Sequence, residues 1–280
     1  MFKILKRTEL HPGTWRYKIE APRIAKHRKA GQFVILRPHA QAERIPLTLV
    51  DGDPLEGWIE IIFQVVGSTT SDLAKLSEGS FILDLAGPLG KPTHIENFGH
   101  CICVGGGVGI APLFPIIKAL KLAGNQVTVL LGGRSSHHIL LQDEISEWAQ
   151  NILIATDDGS LGKKGFAVQV LEEQLLQGQR YDMSVVIGPV RMMQFTAQTL
   201  LNAQIPCMVS LNPIMIDGTG MCGGCRVSIG KKTQFACVDG PEFDAALVDW
   251  ENLILRLGAY KTLEKNHYQE HRCQLESAQP

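Results

Sequence analysis

Three cysteines and one aspartate, within the stretch DGTGMCGGCRVSIGKKTQFAC from Asp217 to Cys237, have the types and spacing most able to do chemistry. Cys222 and Cys225 are separated by two residues in a glycine-rich loop, and Cys237 returns after eleven more. Thiolates grouped in this way are metal ligands. The glycines between them, Gly218, Gly220, Gly223 and Gly224, let backbone N–H groups turn inward around a compact centre.

Counted from Asp217, the spacing Asp-x4-Cys-x2-Cys-x11-Cys reproduces the ligand frame of plant-type ferredoxins with Asp in the first place. Asp217, Cys222, Cys225 and Cys237 are therefore the expected ligands of a 2Fe-2S cluster. A carboxylate oxygen among soft thiolates binds iron less covalently and alters its potential. A tetrahedral zinc knuckle uses the same residue types, and spacing alone leaves it open. A disulfide is not expected, because seven Cys without an export signal suit a reducing compartment.

At 280 residues the chain has room for two domains and a small cluster-binding appendage. A formal net charge of -1 gives no electrostatic case for nucleic acid or an anionic membrane, so neither is expected as a partner. The apolar run from Cys101 to Ile117 is too short and too rich in Gly and Pro for a membrane helix, and the N-terminus lacks the apolar stretch of a signal peptide. A cytoplasmic protein is expected.

Two larger regions must position the cysteine loop. Residues 1–97 carry short β-like runs, Trp15 to Ile19, Gln32 to Leu36, Trp58 to Val66 and Phe81 to Leu85, separated by Gly, Pro and Asp, which predicts a small antiparallel barrel. Within it RIPLTLVD offers Arg44 as a fixed cation, Pro46 as a stiffener and Thr48 as a hydroxyl. VVGSTT places Gly67, Ser68, Thr69 and Thr70 at a helix start, where free N–H groups and hydroxyls suit a phosphate or merely cap the helix.

Residues 98–204 read as a doubly wound α/β domain that binds a nucleotide. HCICVGGGVG runs a buried strand into a glycine turn at Gly105, Gly106, Gly107 and Gly109, and Ile110 to Ala123 continues as helix. Strands are predicted at Gln126 to Leu131, Asn151 to Ala155 and Met183 to Ile187, and helices at Ile139 to Ala149 and around Val168 to Gln177. The loops after the strands share one edge: Arg134 in GGRSS, Asp157 and Asp158 in TDDGS, and Gly188 and Pro189 in IGPVRMM. Arg134 suits a ribose or its extra phosphate, and the two Asp suit a ribose hydroxyl or ordinary turn chemistry. His137 and His138 read as exposed helix-start residues, and Met192 and Met193 as helix packing. Residues 205–245 form the expected cluster lobe, and 246–280 a C-terminal helix and polar tail.

Taken together, RIPLTLVD, VVGSTT, GGGVGIAPLFP, TDDGS, DGTGMCGGCRV and FACVDGPEFD resemble, in order and composition, a family of FAD- and NAD(P)-binding electron-transfer subunits over nearly the whole chain. Within it the likeness is to the alpha subunits of NADH-dependent reduced ferredoxin:NADP oxidoreductases, also described as sulfide dehydrogenase beta subunits. Electron-transfer subunits of dihydroorotate dehydrogenase are near relatives. The resemblance implies a ferredoxin-reductase-like flavin barrel, a nicotinamide-nucleotide domain and a 2Fe-2S lobe facing a partner. Arg44, Pro46, Leu47 and Thr48 match the flavin-contacting segment, Gly67, Thr69 and Thr70 the FAD diphosphate turn, and Gly105 to Gly109 the nucleotide loop. Dihydroorotate-linked subunits carry Cys where this chain has Asp217, and many relatives have Cys in place of Ile187, which speaks against the dihydroorotate role.

The expected function is electron transfer between NAD(H), with NADP(H) as the alternative nucleotide, FAD and a 2Fe-2S cluster, with cofactor-borne chemistry and no catalytic side chain. The expected partner is a larger flavin/iron-sulfur oxidoreductase subunit, with ferredoxin a further candidate. The alternatives are a dihydroorotate dehydrogenase electron-transfer subunit and, from another class, a nucleotide-binding regulatory module with structural zinc.

Overall fold

The computed structural model describes residues 1–264, 266, 268 and 269; the rest of the expected C-terminal tail lies outside the described residues. The chain opens on a hairpin of β1 (Phe2–His11) and β2 (Thr14–Glu20), with Gly13 at φ +77° in its turn. Tyr17 and Ile19 face inward from β2, and Thr14 at its start is also buried. After α1 (Pro22–His27) come β3 (Phe33–Arg37), β4 (Ile45–Thr48), β5 (Asp51–Asp53), β6 (Trp58–Gln64), α2 (Ser68–Lys75), β7 (Phe81–Ile82) and β8 (Asp84–Leu89). They build two antiparallel sheets, ordered β5-β6-β2-β1-β7 and β4-β3-β8, around a core of Ile, Leu, Val, Tyr17 and Phe63. The Tyr17 hydroxyl donates to the Leu73 and Leu76 carbonyls (2.8 and 3.0 Å), pinning α2 to the barrel.

The second half contains β9 (His100–Gly106), α3 (Ile110–Leu122), β10 (Gln126–Gly133), α4 (Gln142–Ser146), β11 (Asn151–Thr156), β12 (Lys163–Lys164), α5 (Ala167–Leu176), β13 (Met183–Ile187), α6 (Val190–Asn202) and β14 (Cys207–Ser210). A hairpin of β15 (Arg226–Ile229) and β16 (Lys232–Phe235), the short β17 (Glu242–Asp244) and α7 (Trp250–Gly258) complete the fold. One sheet runs β12-β11-β10-β9-β13-β14-β17, parallel except where β17 pairs antiparallel with β14. One apolar core lies between α3 and the sheet, and another lies under α5 and α6 and extends to the cysteine hairpin and Leu253 of α7. The chain leaves β9 in one direction and returns to β13 on its other side, which makes their carboxyl ends a topological switch point. Among the described residues no helix is long and apolar enough to cross a membrane.

The antiparallel barrel and doubly wound sheet agree with the sequence expectation, and two local readings are corrected. The run from Phe81 to Leu85 is two strands: Leu83 donates to the Pro38 carbonyl (3.2 Å), so β7 pairs with β1 and β8 with β3, as where a strand switches sheets. The helix expected from Ile139 to Ala149 is confined to Gln142–Ser146. Leu141 precedes it at φ +55°, and Leu140, Leu141 and Ile145 are held in the core, so the chain turns where a continuous helix would run on. Cys207–Ser210 and Glu242–Asp244 form the last two strands of the large sheet.

Candidate functional site

A cleft of ≈ 880 Å³ opens between the barrel and the switch point. Pro46, Leu47 and Thr48 of β4, with Val50, Ile62 and Gln64, form its barrel wall. The opposite wall is the loop edge of the sheet: Gly106, Gly107 and Gly109 after β9, Gly133 and Arg134 after β10, Asp157 after β11, and Gly188 and Pro189 after β13. Four separate sequence motifs are thus gathered by one sheet edge. Polar groups are few among apolar walls, the composition of a pocket for a large flat ligand.

The glycines of the nucleotide turn do two different jobs. A Cβ on Gly105 would meet Leu113 and Ile110 at 3.0–3.1 Å, and on Gly109 it would meet the Gly188 Cα at 2.7 Å. Gly106 is closed by the Met192 Sδ. These three let strand, helix and the neighbouring turn pack against one another. Gly107, at φ +55°, has open space on its Cβ side and presents backbone to the cleft.

The remaining expected nucleotide residues divide similarly. Arg134 and Asp157 are exposed and line the cleft. Asp158 bends back on its own turn: Oδ1 accepts from the Ser160 N–H (2.9 Å) and hydroxyl (2.6 Å), and the hydroxyl bond leads in holding its carboxyl below the usual range. Met193 is fully buried, as expected, whereas Met192 lines the cleft. His138 ends a 3-10 turn, Ser136–His138, and also lines the cleft, its Nδ1 at 3.0 Å from the Ser135 Oγ. Sequence reasoning passed over Phe166, Phe195, Ser210, Asn212 and Pro241, which extend the cleft walls. Of these only Pro241 lies in a stretch that carries the resemblance, FACVDGPEFD, and the other four gave no local signal.

The Gly67 turn lies at the start of α2. Thr70 Oγ1 accepts from Val66 N and Gly67 N, both at 3.0 Å, and so serves as a helix cap. Thr69 Oγ1 accepts from Glu43 N (3.2 Å), which ties this helix start to the segment leading into Arg44. Arg44 lies in a second cavity of ≈ 400 Å³, beside Ile35, Arg37 and Asp217.

Asp217 links that cavity to the cysteine loop. Its Oδ1 accepts from Thr219 N (2.9 Å) and its Oδ2 from Cys222 N (2.7 Å); these N–H groups, Thr219 first, hold the carboxyl below its ordinary range. Cys225 and Cys237 are buried with their Sγ atoms 3.2 Å apart, while Cys222 is exposed and its Sγ accepts from Gly224 N (3.4 Å). Burial, followed by the Cys225 thiol, pushes Cys237 up. Gly218 allows the loop to press on the barrel, since a Cβ there would meet Leu89 Cδ1 at 2.6 Å and Ile35 Cγ1 at 3.0 Å.

The donor chemistry fits a two-iron cluster: a carboxylate, two thiols and a glycine N–H in one loop, with a third thiol returned by the β15–β16 hairpin. Among the described residues no three His, Cys, Asp or Glu side chains converge to hold a single metal ion. The cleft fits a flavin and a nicotinamide nucleotide, with apolar walls and an exposed glycine backbone at a switch point.

Two family models match parts of the chain. Residues 212–249 match the iron-sulfur cluster binding domain of dihydroorotate dehydrogenase B, and residues 103–198 match the oxidoreductase NAD-binding domain. A Thermotoga maritima protein named dihydroorotate dehydrogenase B (NAD(+)), electron transfer subunit homolog, is 45% identical over 267 residues, 95% of this chain and 94% of that protein. The corresponding electron transfer subunit of Desulforamulus reducens is 33% identical over 257 residues, 89% of this chain and 97% of that one. A solved structure of an NADH-dependent reduced ferredoxin-NADP oxidoreductase, described for flavin-based electron bifurcation, superposes with a TM-score of 0.90 at 44% identity, covering 96% of this chain and 97% of that one. A Neisseria gonorrhoeae ferredoxin NADP+ reductase with bound FAD and NADP shares the fold (TM-score 0.58, 19% identity, covering 72% and 89%).

Proposed function

The chain belongs to the family of dihydroorotate dehydrogenase B electron transfer subunits and their homologues, and from that premise we propose that it serves the ferredoxin:NADP branch, exchanging electrons between NADH and a larger partner subunit. It is an electron-transfer subunit of a flavin and iron-sulfur oxidoreductase. The contact of the cysteine loop with the barrel carries this reading, because Gly218 sits on Leu89 and Ile35 while Asp217 shares a cavity with Arg44. When bound, FAD and the two-iron cluster supply the conversion between a two-electron hydride and single electrons.

The side chains hold and orient. Pro46, Leu47 and Thr48 present one wall to the flavin ring, and Arg44 offers a fixed positive charge to the flavin's anionic part. The Gly67 turn, with Thr69 and Thr70, sets the start of α2 for the diphosphate, Thr70 by shaping the turn from within. Gly107 brings backbone up to the nicotinamide nucleotide, Gly188 and Pro189 close the opposite side, and Arg134 and Asp157 reach its ribose end. Asp217, Cys222, Cys225 and Cys237 hold the cluster. Asp158 and the packed Gly105, Gly106 and Gly109 support these groups from behind.

Exposed Ile216, Met221 and Val238 rim the cysteine loop and suit the docking face of the larger subunit, with ferredoxin as a further electron partner of the assembly. The proposed domain limits are 1–97 for flavin, 98–204 for nucleotide and 205–245 for the cluster, in a cytoplasmic protein. The test is low-temperature EPR on anaerobically purified protein before and after NADH. A rhombic signal that appears as flavin absorbance bleaches supports the path from nucleotide to cluster. Protein that contains zinc, no acid-labile sulfide and no flavin would overturn it.

A further inference from the structure

Two arginines grip the backbone of the cysteine loop from below, and one of them comes from outside the stretch that matches the cluster domain, which ends at residue 249. Arg226, first residue of β15, donates from Nη1 to the Gly223 carbonyl (3.0 Å). Arg256, in the last turn of α7, donates from Nη2 to the Gly224 carbonyl (3.2 Å). The two carbonyls between Cys222 and Cys225 are thus both held by guanidinium groups.

The helix that delivers Arg256 is firmly seated. Asp249 caps α7, its Oδ1 accepting from Asn252 N at 3.0 Å, and its own N–H donates to the Ser228 carbonyl of β15 at 3.0 Å. Gly230 N donates to the Leu247 carbonyl (2.8 Å), and Leu253 packs in the core that contains Cys225, Val227 and Cys237. Arg256 is half-buried against the loop and is held there by helix packing rather than by a flexible tail.

A guanidinium on a carbonyl acts on the other end of the same peptide. In the peptide joining Gly223 and Gly224 both ends are visible: Arg226 donates to its oxygen, and its N–H donates to Cys222 Sγ. In the next peptide Arg256 holds the Gly224 oxygen, and trans planarity directs the Cys225 N–H away from the guanidinium. Polarisation along such a chain strengthens the far donor. Hydrogen bonds to cluster sulfurs and nearby positive charge both stabilise the reduced, more negative state of an iron-sulfur centre.

We propose that Arg256 is a positioning residue for the cluster: it fixes the Gly224–Cys225 peptide and keeps a permanent positive charge against the cysteine loop, which would hold the reduction potential above the value the loop alone would give. The inference rests on the loop holding a two-iron cluster, and wild-type protein without iron and sulfide would remove that premise before any variant is made.

The test is a dye-mediated redox titration read by EPR on full-length holoprotein, wild type against R256Q and R256K, with iron and sulfide content measured alongside. R256Q is expected to load its cluster and titrate at a more negative potential, so that at the wild-type midpoint the reduced fraction falls from half to a minority. R256K, which restores the charge without the fork, should move the potential back toward wild type. An unchanged midpoint in loaded R256Q overturns the proposal. If R256Q fails to load, R256K that loads and titrates near wild type supports it. Failure of both to load would show that the side chain serves only to pack α7.

Discussion

Lys118 Nζ of α3 lies 3.0 Å from Asp51 Oδ2 of β5, and the other oxygen of the same carboxylate accepts from Arg28 Nη2 at 2.7 Å. One barrel carboxylate therefore holds a cation of its own domain and one from the nucleotide half. All three side chains are partly covered, between the regimes of exposed and buried pairs. D51N should cost about 1–2 kcal/mol, because it leaves two enclosed cations unpaired. K118M should cost less and raise the KM for NADH more than it lowers kcat, since it frees α3 at the back of the cleft. Urea unfolding and steady-state kinetics check both, and D51N no less stable than K118M would discount the shared carboxylate.

Glu242 gives the pH dependence. Its Oε1 accepts from the Thr93 hydroxyl (2.7 Å) and packs against Gly31, where the barrel, the linker and β17 meet. Burial pushes its carboxyl up from 4.5 to about 7, against the opposing effect of the Thr93 bond. A raised carboxyl means that the folded protein binds the extra proton between those values, so stability is fully present below about 4.5 and is lost as pH rises through about 7. E242Q should match wild type near pH 5 and exceed it at pH 8 by about 1–3 kcal/mol, a range discounted because the side chain as a whole is only half-buried. Denaturant melts at both pH values decide it, and a gain of equal size at both would exclude titration of Glu242 as the cause.

Periodicity and punctuation made most of the fold legible. The strand from Met183 to Ile187 falls where alternation with helices places it, and the glycine turn after Gly106 marks the switch point. What escaped depends on distant contacts. Nothing local in Ile139 to Leu141 announces that the core will hold them and force a left-handed Leu141. The role of Thr70 was open because a cap and a phosphate ligand use the same hydroxyl, and only the Val66 and Gly67 N–H groups show which bonds it makes. Arg256 was invisible for a similar reason, because its partner is a carbonyl 32 residues earlier.

Asp157 should set nucleotide preference. It is exposed on the cleft wall at the end of β11, where a carboxylate accepts from a ribose 2′-hydroxyl and repels a 2′-phosphate. Arg134 lines the same cleft and would attract that phosphate. D157S should lower the ratio of kcat/KM for NADH over NADPH by roughly tenfold, since it removes both the ribose acceptor and the like charge that repels a 2′-phosphate. The neighbouring D158S should instead lower stability slightly without changing the ratio, because the Asp158 carboxylate is spent on Ser160. Equal effects of the two would place the ribose elsewhere.

Asp217 is the residue on which the ligand assignment turns. Its carboxylate accepts from Cys222 N at 2.7 Å, so it is within the loop that carries the first cysteine, and it also borders the Arg44 cavity. A ligand role and a purely structural role in the turn predict different variants. D217C replaces a hard oxygen by a thiolate and should keep the cluster while changing its midpoint potential and the g-values of its reduced state. D217N keeps the shape but removes the anionic donor and leaves an acceptor for only one of the Thr219 and Cys222 N–H groups, and it should lose much of the iron. If Asp217 only shapes the turn, a loaded D217C will titrate as wild type. Iron and sulfide content with an EPR redox titration separates the cases, and unchanged potential in a fully loaded D217C would remove Asp217 from the ligand set.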